Sequence, residues 1–337
     1  MKYYLLGLIG LLTISCNTAQ NSSKSKMSRA DYANTITASD LSTHLYLFAD
    51  DAMQGRMTGT DGQKKAMVYL KDYYVAQGIQ APLGDKDYYQ EIPADYFSRM
   101  REPKPSENVV AFIPGSEKPE EVIVLSAHYD HVGVDDDGNV YNGADDDGSG
   151  TVAMLEIAQA FQMAAKNGNG PKRSILFLHV TGEEIGLYGS KFYTENPIFP
   201  LANTVCNLNT DMIGRIDPNH TDNPNYVYLI GSDKLSQELH DVSEAVNQQH
   251  VGLDLDYTYN DDDDPNRFYY RSDHYNFAKN NIPVIFYFNG THEDYHKPTD
   301  TPDKIDYDLL AKRTQLIFQT TWEIANREGR ITADKLE

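Results

Sequence analysis

Histidines and carboxylates recur in five short segments of the sequence, and together they could bind divalent metal ions. The segments contain His128 and Asp130; Asp145, Asp146 and Asp147; Glu183 and Glu184; Asp211; and His296. Imidazole nitrogens and carboxylate oxygens suit Zn²⁺ and similar ions without selecting strongly among them. Five ligands are too many for one tetrahedral zinc ion. Shared between two ions about 3.5–4 Å apart, with one bridging carboxylate, they fit a two-metal hydrolytic site.

The pair Glu183–Glu184 is the least ordinary of these segments. It lies in TGEEIG (181–186), directly after the apolar run SILFLHV (174–180). Two neighbouring carboxylates at a strand end repel each other, which raises the pKa of one of them and costs stability unless a cation compensates. The pair therefore favours a bound cation at this position.

Each segment also has an ordinary explanation when it is taken alone. His128 and Asp130 would then be a hydrogen-bonded pair, and Asp145–Asp147 before a glycine would be a solvated turn or a helix cap. Asp211 alone would mean little. The argument for a functional site rests on all five segments falling at strand or helix ends in one α/β pattern.

That pattern consists of short apolar runs that alternate with helical stretches. The predicted strands are residues 108–113, 121–127, 174–180, 204–210 and 282–288. Helical spacing is clearest at Met154, Ile157, Ala158 and Phe161, and at Leu310, Ile317 and Ile324. Nearly continuous apolar strands between helices predict an α/β layered fold with a buried, largely parallel sheet. Ligand sites in such sheets lie outside the carboxyl ends of the strands, where the histidines and acids collect.

The amino-terminal residues predict export. The chain has 337 residues, 40% of them hydrophobic, so it can bury a full core. Its first 15 residues form an apolar run with one lysine that is too short to span a bilayer. TISC, which ends at Cys16, resembles a bacterial lipoprotein signal. We therefore expect residues 1–15 to be removed, Cys16 to carry a lipid anchor, and residues 16–29 to be a flexible tether before a single domain over residues 30–337.

An exported, anchored protein would lie at the bacterial cell envelope and face the periplasm. An ordinary cleaved signal peptide is the alternative, and it also directs export. The formal net charge of −21 argues against nucleic acid as a partner and against a direct electrostatic attraction to anionic lipid. Only Cys16 and Cys206 are present, so an anchored mature chain has no internal disulfide.

Six motifs give a more specific prediction. They are AHYDHVG (127–133), NGADDDGSG (142–150), TGEEIGLYGS (181–190), LNTDMIG (208–214), RSDHYNFAKNNIPV (271–284) and YHKPTDT (295–301). In content and order they resemble the M28 family of zinc-dependent aminopeptidases and carboxypeptidases, and residues 45–66 resemble the family's amino-terminal part. The resemblance implies a zinc exopeptidase fold, which is a three-layer α/β sandwich with helices on both sides of a mostly parallel, mixed sheet.

The resemblance also implies a role for each matching residue. The implied metal ligands are His128, Asp146, Glu184, Asp211 and His296, and the implied catalytic residues are Glu183, Asp130 and Tyr295. Two Zn²⁺ ions would be bound, with Asp146 bridging them. Glu184 would share an ion with His128, while Asp211 and His296 would bind the other. Asp130 would orient the imidazole of His128, as carboxylates do beside metal-bound histidines, and Asp145 and Asp147 would be supporting residues.

The implied reaction is two-metal peptide hydrolysis. The metals would lower the pKa of a bridging water, Glu183 would accept its proton, and Tyr295 would help stabilise the oxyanion before Glu183 protonates the leaving amine. Adjacent side chains diverge in an extended backbone. Glu184 can therefore bind a metal while Glu183 holds the water.

Other functions fit the sequence less well. There is no HExxH or GxSxG motif, and the DDDG stretches lack the aspartate that begins a calcium loop. Asp261–Asp264 fits a solvated acidic loop better than a structural calcium site.

The main alternative enzyme is a glutaminyl cyclase, which has a related scaffold with one zinc, but the complete ligand set favours two metals. A non-catalytic binding protein on this fold would lack ligands, and none is missing. The interval between Ile92 and Asn108 is too short for the family's protease-associated insert of about 100 residues.

The charge around the motifs helps to distinguish the types of exopeptidase. Acids dominate, which favours an aminopeptidase, because a carboxypeptidase needs an arginine or lysine for the substrate carboxylate. Arg267 and Arg271 keep the carboxypeptidase open unless they pair with the acids at 261–264. Tyr287, Phe288 and Tyr295 are candidates for an apolar side-chain pocket, with the sheet core as the alternative. We expect a monomer that acts on peptides.

Overall fold

The computed structural model describes Met1 and residues 27–84 and 87–336. The predicted signal peptide, Cys16 and most of the predicted tether lie outside these residues, so those expectations stay predictions. None of the helices within them is both long enough and apolar enough to cross a membrane. The fold begins slightly before residue 30, because the hydroxyl of Ser28 caps helix α1 (Arg29–Ala33) and Arg29 pairs with Glu323 at 3.0 Å.

An eight-stranded mixed sheet forms the centre of the fold, and a separate two-stranded sheet, β4 with β5, lies beside it. The strands are β1 (Tyr89–Ile92), β2 (Ser106–Ile113), β3 (Lys118–His128), β4 (Gly133–Val134), β5 (Val140–Tyr141), β6 (Arg173–Val180), β7 (Thr204–Thr210), β8 (Tyr226–Ile230), β9 (Asp254–Asp256) and β10 (Val284–Phe288). The order across the large sheet is β1-β2-β6-β3-β7-β10-β8-β9. The four central strands β6, β3, β7 and β10 run parallel, while β2 and β8 pair antiparallel at their flanks.

Helices cover both faces of the sheet. The remaining helices are α2 (Ala38–Phe48), α3 (Asp61–Gln77), α4 (Gly150–Lys166), α5 (Tyr188–Glu195), α6 (Gln237–His250), α7 (His274–Ala278) and α8 (Tyr307–Asn326). Helices α2, α4, α6 and α8 pack against one another on one face, and α5 and α7 pack on the other. The predicted three-layer α/β sandwich is therefore confirmed.

Strand β3 shows how the sequence produces two cores. Side chains alternate between the two faces of a strand. Ile123 and Leu125 belong to the larger core under α4 and α8, whereas Val122 and Val124 belong to the smaller core with Phe277 of α7. A strand that is buried on both faces has to be apolar throughout, and β3 is apolar from Val122 to Leu125.

The predicted strands correspond to β2, β3, β6, β7 and β10, and the two predicted helical faces lie in α4 and α8. The sequence analysis missed β1, β8 and β9, which lie at the flanks and edges of the sheet. Of these, β8 carries a clear signal, since YVYLI (226–230) is an apolar, β-rich run. The parallel centre that positions the site was thus predicted correctly.

Candidate metal centre

The predicted ligands converge at the carboxyl ends of the parallel strands. His128 is the last residue of β3, Glu184 lies in the turn after β6, and Asp211 directly follows β7. Asp146 lies in the irregular segment before α4, and His296 lies in the loop after β10. All five come together at one edge of the sheet, as expected for a ligand site in a parallel α/β fold.

Asp146 lies between the two histidines. Its Oδ1 is 3.1 Å from Nε2 of His128, and its Oδ2 is 3.0 Å from Nε2 of His296. Burial raises the pKa of this carboxyl, but the adjacent imidazoles of His128 and His296 outweigh burial and hold it well below its usual value. Because its two oxygens face different imidazoles, Asp146 has the geometry of a carboxylate that bridges two ions.

The other two acids divide between the histidines. Asp211 Oδ1 lies 3.6 Å from Nε2 of His128, and Glu184 Oε2 lies 3.0 Å from Nε2 of His296. The sequence analysis paired His128 with Glu184 and His296 with Asp211, so these contacts favour the opposite pairing. The site is compact, since ligand atoms of His128, Asp146 and Glu184 also lie within 4.8 Å of one another. Chain order could not predict the pairing, because it depends on the side-chain directions beyond each strand end.

The chemistry of these donors fits a divalent cation. Asp146 Oδ2 and Glu184 Oε1 are buried and have no hydrogen-bond donor of suitable geometry within the described residues. His131 Nδ1 approaches Glu184 Oε1 at 2.7 Å, but without hydrogen-bond geometry. Buried carboxylates without partners are costly. A metal ion would satisfy these oxygens, so the residues present suit Zn²⁺ or a similar ion.

Asp130 supports the site by a different contact from the expected one. Nδ1 of His128 lies 3.1 Å from the backbone oxygen of Asp130, whereas the Asp130 carboxylate is 3.9 Å away. That carboxylate accepts hydrogen bonds from the Thr58 hydroxyl at 2.8 Å and from the backbone N–H of Glu183 at 3.3 Å. Asp130 therefore links the His128 segment to the turn that carries Glu183.

The neighbours of Asp146 hold the backbone in place. Asp147 accepts hydrogen bonds from the backbone N–H groups of His128 at 3.2 Å and Gly150 at 2.8 Å. Asp145 accepts from the N–H of Gly214 at 2.6 Å. Although Asp147 lies near enough to His128 and Asp211 to form a possible ligand group, its oxygens are already engaged with the backbone. This agrees with the supporting role expected for both residues.

Arg56 is a buried residue that the sequence analysis did not identify. Its guanidinium donates to the backbone oxygens of Phe48, Tyr129, Asn142 and Gly143 at 2.6–3.2 Å. Burial lowers its pKa to about 10, so it keeps its charge at neutral pH. It therefore ties together the segments after His128 and before Asp146. The arginine in QGRMTG gives no sequence signal of burial, because most arginines are exposed.

A relay of polar side chains fixes Asp211. The Ser272 hydroxyl donates to Asp211 Oδ2 at 2.7 Å, and Asn209 donates to Ser272 at 2.9 Å. Ser126 in turn donates to Asn209 at 2.6 Å. Ser272 belongs to the motif RSDHYNFAKNNIPV (271–284), and this position could have indicated from the sequence that it lies near the site. Such outer partners orient metal ligands.

Glu183 faces the space beside the candidate ligands. Burial raises the pKa of its carboxyl well above the usual value; His128 opposes the shift, and repulsion from Glu184 adds to it. No carboxylate oxygen of Glu183 lies within 4.0 Å of a histidine nitrogen in the described part of the chain, whereas both oxygens of Glu184 do. Its position leaves its carboxylate available to a bound water or substrate.

A cavity with about 360 Å³ of empty space opens beside the acids. Its apolar wall consists of Met212, Phe268, Phe286 and Phe288, and the ring of Tyr295 stacks on the imidazole of His296 at 4.0 Å. Phe288 and Tyr295 line this cavity, as predicted. Tyr287 does not, because it points to the opposite face of β10 and is buried in the larger core.

The two arginines near RSDH do not pair with the acidic loop. Arg271 lies 4.8 Å from the ring of Phe268 and lines the cavity, while Arg267 lies 4.8 Å from the ring of Tyr270 and does not. In the loop, Asp262 pairs with Lys234 at 2.5 Å, and Asp264 accepts backbone N–H groups. The loop is thus held by ordinary protein contacts.

Comparison with known sequences gives a family match. The sequence pattern of peptidase family M28 matches residues 108–321. A probable zinc metalloprotease of Pyricularia oryzae is 33% identical over 151 residues, which are 43% of this chain and 28% of that protein. A probable leucine aminopeptidase of Arthroderma otae is 28% identical over 224 residues, which are 65% of this chain and 57% of that protein. The chain therefore spans only part of the length of each relative.

Solved structures confirm the fold. The LapA aminopeptidase of Legionella pneumophila superposes with a TM-score of 0.68 at 20% identity, covering 89% of this chain and 75% of that chain. A zinc aminopeptidase of Bacillus subtilis superposes with a TM-score of 0.65 at 16% identity, covering 88% of this chain and 98% of that chain. At these identities the likeness concerns the architecture.

Proposed function

The chain belongs to peptidase family M28, and we propose that it is a zinc-dependent exopeptidase of the aminopeptidase type. The observation that carries the proposal is the position of Asp146, whose two oxygens face His128 and His296 while Glu183 lies beside them. This arrangement suits metal-assisted hydrolysis with a separate carboxylate as the base. The relatives described as a zinc metalloprotease and a leucine aminopeptidase support it.

We further propose that the site holds two zinc ions. Asp146 would bridge them, His128 and Asp211 would complete one set of protein ligands, and Glu184 and His296 would complete the other. This division follows the closest contacts in the structure. Buried acids with unsatisfied oxygens support the presence of cations.

The chain's own residues would perform the proton transfers. A bound divalent ion polarises the scissile carbonyl and makes a nearby water more acidic. Glu183 accepts the proton of the attacking water and later delivers it to the leaving amine. Tyr295 lines the cavity and is placed to donate its hydroxyl to the developing oxyanion. Asp130 keeps the Glu183 turn in register with His128.

The cavity favours an amino-terminal residue as the group that is recognised. Asp146, Glu183, Glu184 and Asp211 form its polar end, and a carboxylate oxygen there that does not bind a metal ion can accept a hydrogen bond from the substrate ammonium. Its aromatic wall suits one apolar side chain. Arg271 is the only arginine or lysine among the described residues that line it. A carboxypeptidase would need an arginine or lysine where the substrate carboxylate binds. Because acids outnumber such residues in this cavity, the carboxypeptidase is the weaker alternative.

A peptide panel tests this proposal. The chain beginning after Cys16 is assayed on free-amine and N-blocked peptides, and its zinc content is measured. We expect cleavage of free-amine peptides alone and about two zinc ions per chain. Glu183→Gln should lower kcat by about 10²–10⁴-fold with unchanged zinc content, because a general base contributes that much.

Glu120→Gln, an exposed change at the start of β3, provides the matched control and should leave kcat unaltered. Equal turnover of N-blocked peptides would instead favour a carboxypeptidase. Cyclisation of an amino-terminal glutamine without peptide cleavage would favour the cyclase.

We also propose that the protein is exported and anchored through a lipid on Cys16. The support is the TISC sequence and the apolar run before it. Metabolic labelling with a radioactive fatty acid tests the anchor: the wild-type chain should be labelled and the Cys16→Ser chain should not. Label retained by the variant would contradict the anchor.

A further inference from the structure

A second, larger concavity adjoins the site and is lined by basic side chains. It contains about 1070 Å³ of empty space and shares Glu183, Glu184, Arg271, Tyr295 and His296 with the first cavity. Its basic residues are Arg99, Lys191, Arg271 and Lys279. We call this concavity the basic groove. Four cations in one groove are unexpected in a chain with a formal net charge of −21.

Most of these cations lack a fixed acidic partner. Arg99, Arg271 and Lys279 form no ion pair with any residue in the described ranges, and Lys191 has only a distant contact of 3.9 Å with Glu195. Burial lowers the pKa of Lys279, the charge of Lys191 lowers it further, and the charge of Glu195 opposes both. The two lysines repel each other although the chain has abundant acids. The potential in the groove is therefore locally positive, and a bound anion would reduce this repulsion.

The groove is also shaped by the catalytic turn itself. Gly186 follows the two glutamates and has a φ of +127°, and a Cβ added there would lie 2.5 Å from an Nη1 atom of Arg99. The absence of a side chain at Gly186 lets this guanidinium approach the turn. On the opposite side, Arg271 rests on the ring of Phe268. Arg271, which lines both cavities, therefore lies where the groove meets the site, and Arg99 lies beside the turn that carries the two glutamates.

The two concavities meet at the candidate ligands, so a peptide has to place one part in each. The smaller, aromatic cavity suits the amino-terminal side chain, which leaves the basic groove for the residues after the scissile bond. We propose that the basic groove binds a carboxylate on the leaving-group side of the substrate, and this rests on the proposed aminopeptidase function. The carboxylate is either the carboxyl terminus of a di- or tripeptide or an acidic side chain.

Matched peptides test the proposal. We measure kcat/KM for Leu-Gly-Gly with a free carboxyl terminus and for the same peptide as an amide. Leu-Glu-Gly-Gly-Gly amide and Leu-Gln-Gly-Gly-Gly amide test the side chain. The wild-type chain should prefer at least one carboxylate-bearing member by about fivefold, the effect of roughly 1 kcal/mol from exposed charges. The free-terminus pair and the Glu/Gln pair distinguish the two sources of the carboxylate.

Variants connect that preference to the groove. In Lys191→Gln/Lys279→Gln the preference ratio should fall to near one, and in Lys279→Glu it should reverse. Lys335→Gln, an exposed lysine at the far end of the chain, is the control and should keep the wild-type ratio. Raising the salt concentration should reduce the ratio, because exposed charges are screened.

A ratio near one for both wild-type pairs, or a ratio that survives the double variant, would overturn the groove as a carboxylate site. Efficient cleavage of the amides would still support the aminopeptidase. If the wild-type chain cleaves none of these peptides, the proposed function fails, and the groove proposal fails with it.

Discussion

The two sets of candidate ligands differ in how firmly the fold holds them. The side chains of His128 and Asp211 are 1% and 11% exposed and lie at the ends of β3 and β7. His296 is 38% exposed and lies in the irregular loop between β10 and α8, with a positive φ of 54°. We call the first pair the buried half and His296 with Glu184 the loop half; the side chain of Glu184 is 8% exposed, so the difference in exposure lies in His296.

This difference shows where the fold has fixed the ligands in advance. The buried half is held by the Asp147 and Ser272 hydrogen bonds and by the guanidinium of Arg56, all of which act on strand ends. The loop half has the stacking of Tyr295 on His296 and the contact between His131 and Glu184. A ligand that is fixed before the metal binds loses less conformational entropy when it does. The buried half should therefore bind its ion more tightly.

The largest expected effect comes from breaking the support of the buried half. Arg56→Met removes the guanidinium and leaves the buried backbone oxygens of Phe48, Tyr129 and Asn142 without a donor among the described residues, whereas the oxygen of Gly143 keeps the N–H of Gly148. Each unsatisfied group costs about 1–3 kcal/mol, so the free energy of unfolding should fall by roughly 3 kcal/mol or more. Urea unfolding in the presence of a chelator measures this loss.

Arg330→Met is the matched control, because Arg330 also donates to two backbone oxygens but lies half-buried at the amino end of the sheet. Its loss should be under about 1 kcal/mol. Equal losses in the two variants would show that burial of Arg56 confers no special stability.

Removal of the metals compares the two halves directly. Titration with a competing chelator should remove zinc in two steps that differ by roughly tenfold or more in affinity, the scale of effects from ligand-orienting contacts. The loop half should release its ion first. Zinc content per chain at each chelator concentration measures the steps, and His296→Ala should abolish the weaker one. Loss of both ions in a single step would remove the proposed distinction.

A smaller effect is expected from one hydroxyl in the buried half. Ser272→Ala removes the hydrogen bond to Asp211 Oδ2 and should weaken zinc binding in the tighter step by about tenfold. Ser116→Ala is the control, since it also removes a hydroxyl, here one that donates to the backbone oxygen of Pro171 at the far end of the sheet, whereas the Ser272 hydroxyl also accepts from Asn209. Unchanged affinity in Ser272→Ala would mean that Asp211 is oriented without Ser272.

The fold could be predicted where burial dictates residue type. Strand β6 and the carboxyl-terminal part of β3 are buried on both faces, and each contains a continuous apolar run that is easy to find, ILFL (175–178) and VIVL (122–125). The edge strands β1 and β9 have only four and three residues and include exposed positions, so their patterns are weak. Strand β8 is fully buried and was missed although YVYLI shows the pattern.

The site could be predicted in its residues but not in its geometry. Position at strand ends, and at a helix start for Asp146, identified His128, Asp146 and Asp211 as neighbours. Their pairing with the other ligands depends on side-chain directions that spacing does not contain. The same limit explains Tyr287, which neighbours Phe288 but points to the opposite face of β10. The burial of Arg56 depends on backbone oxygens from three separate segments of the chain, at Phe48, at Tyr129 and at Asn142–Gly143.

The positions of the two ends of the described domain determine where a support or fusion partner can be attached. Arg29 pairs with Glu323 near the end of α8, and α8 ends beside Arg173, the first residue of β6. Arg330 donates to the backbone of Thr204, the first residue of β7. Residues 29 and 330 of the described domain thus both lie at the pole opposite to the metal centre. A solid support or fusion partner joined at either end would leave the entrance for substrates open.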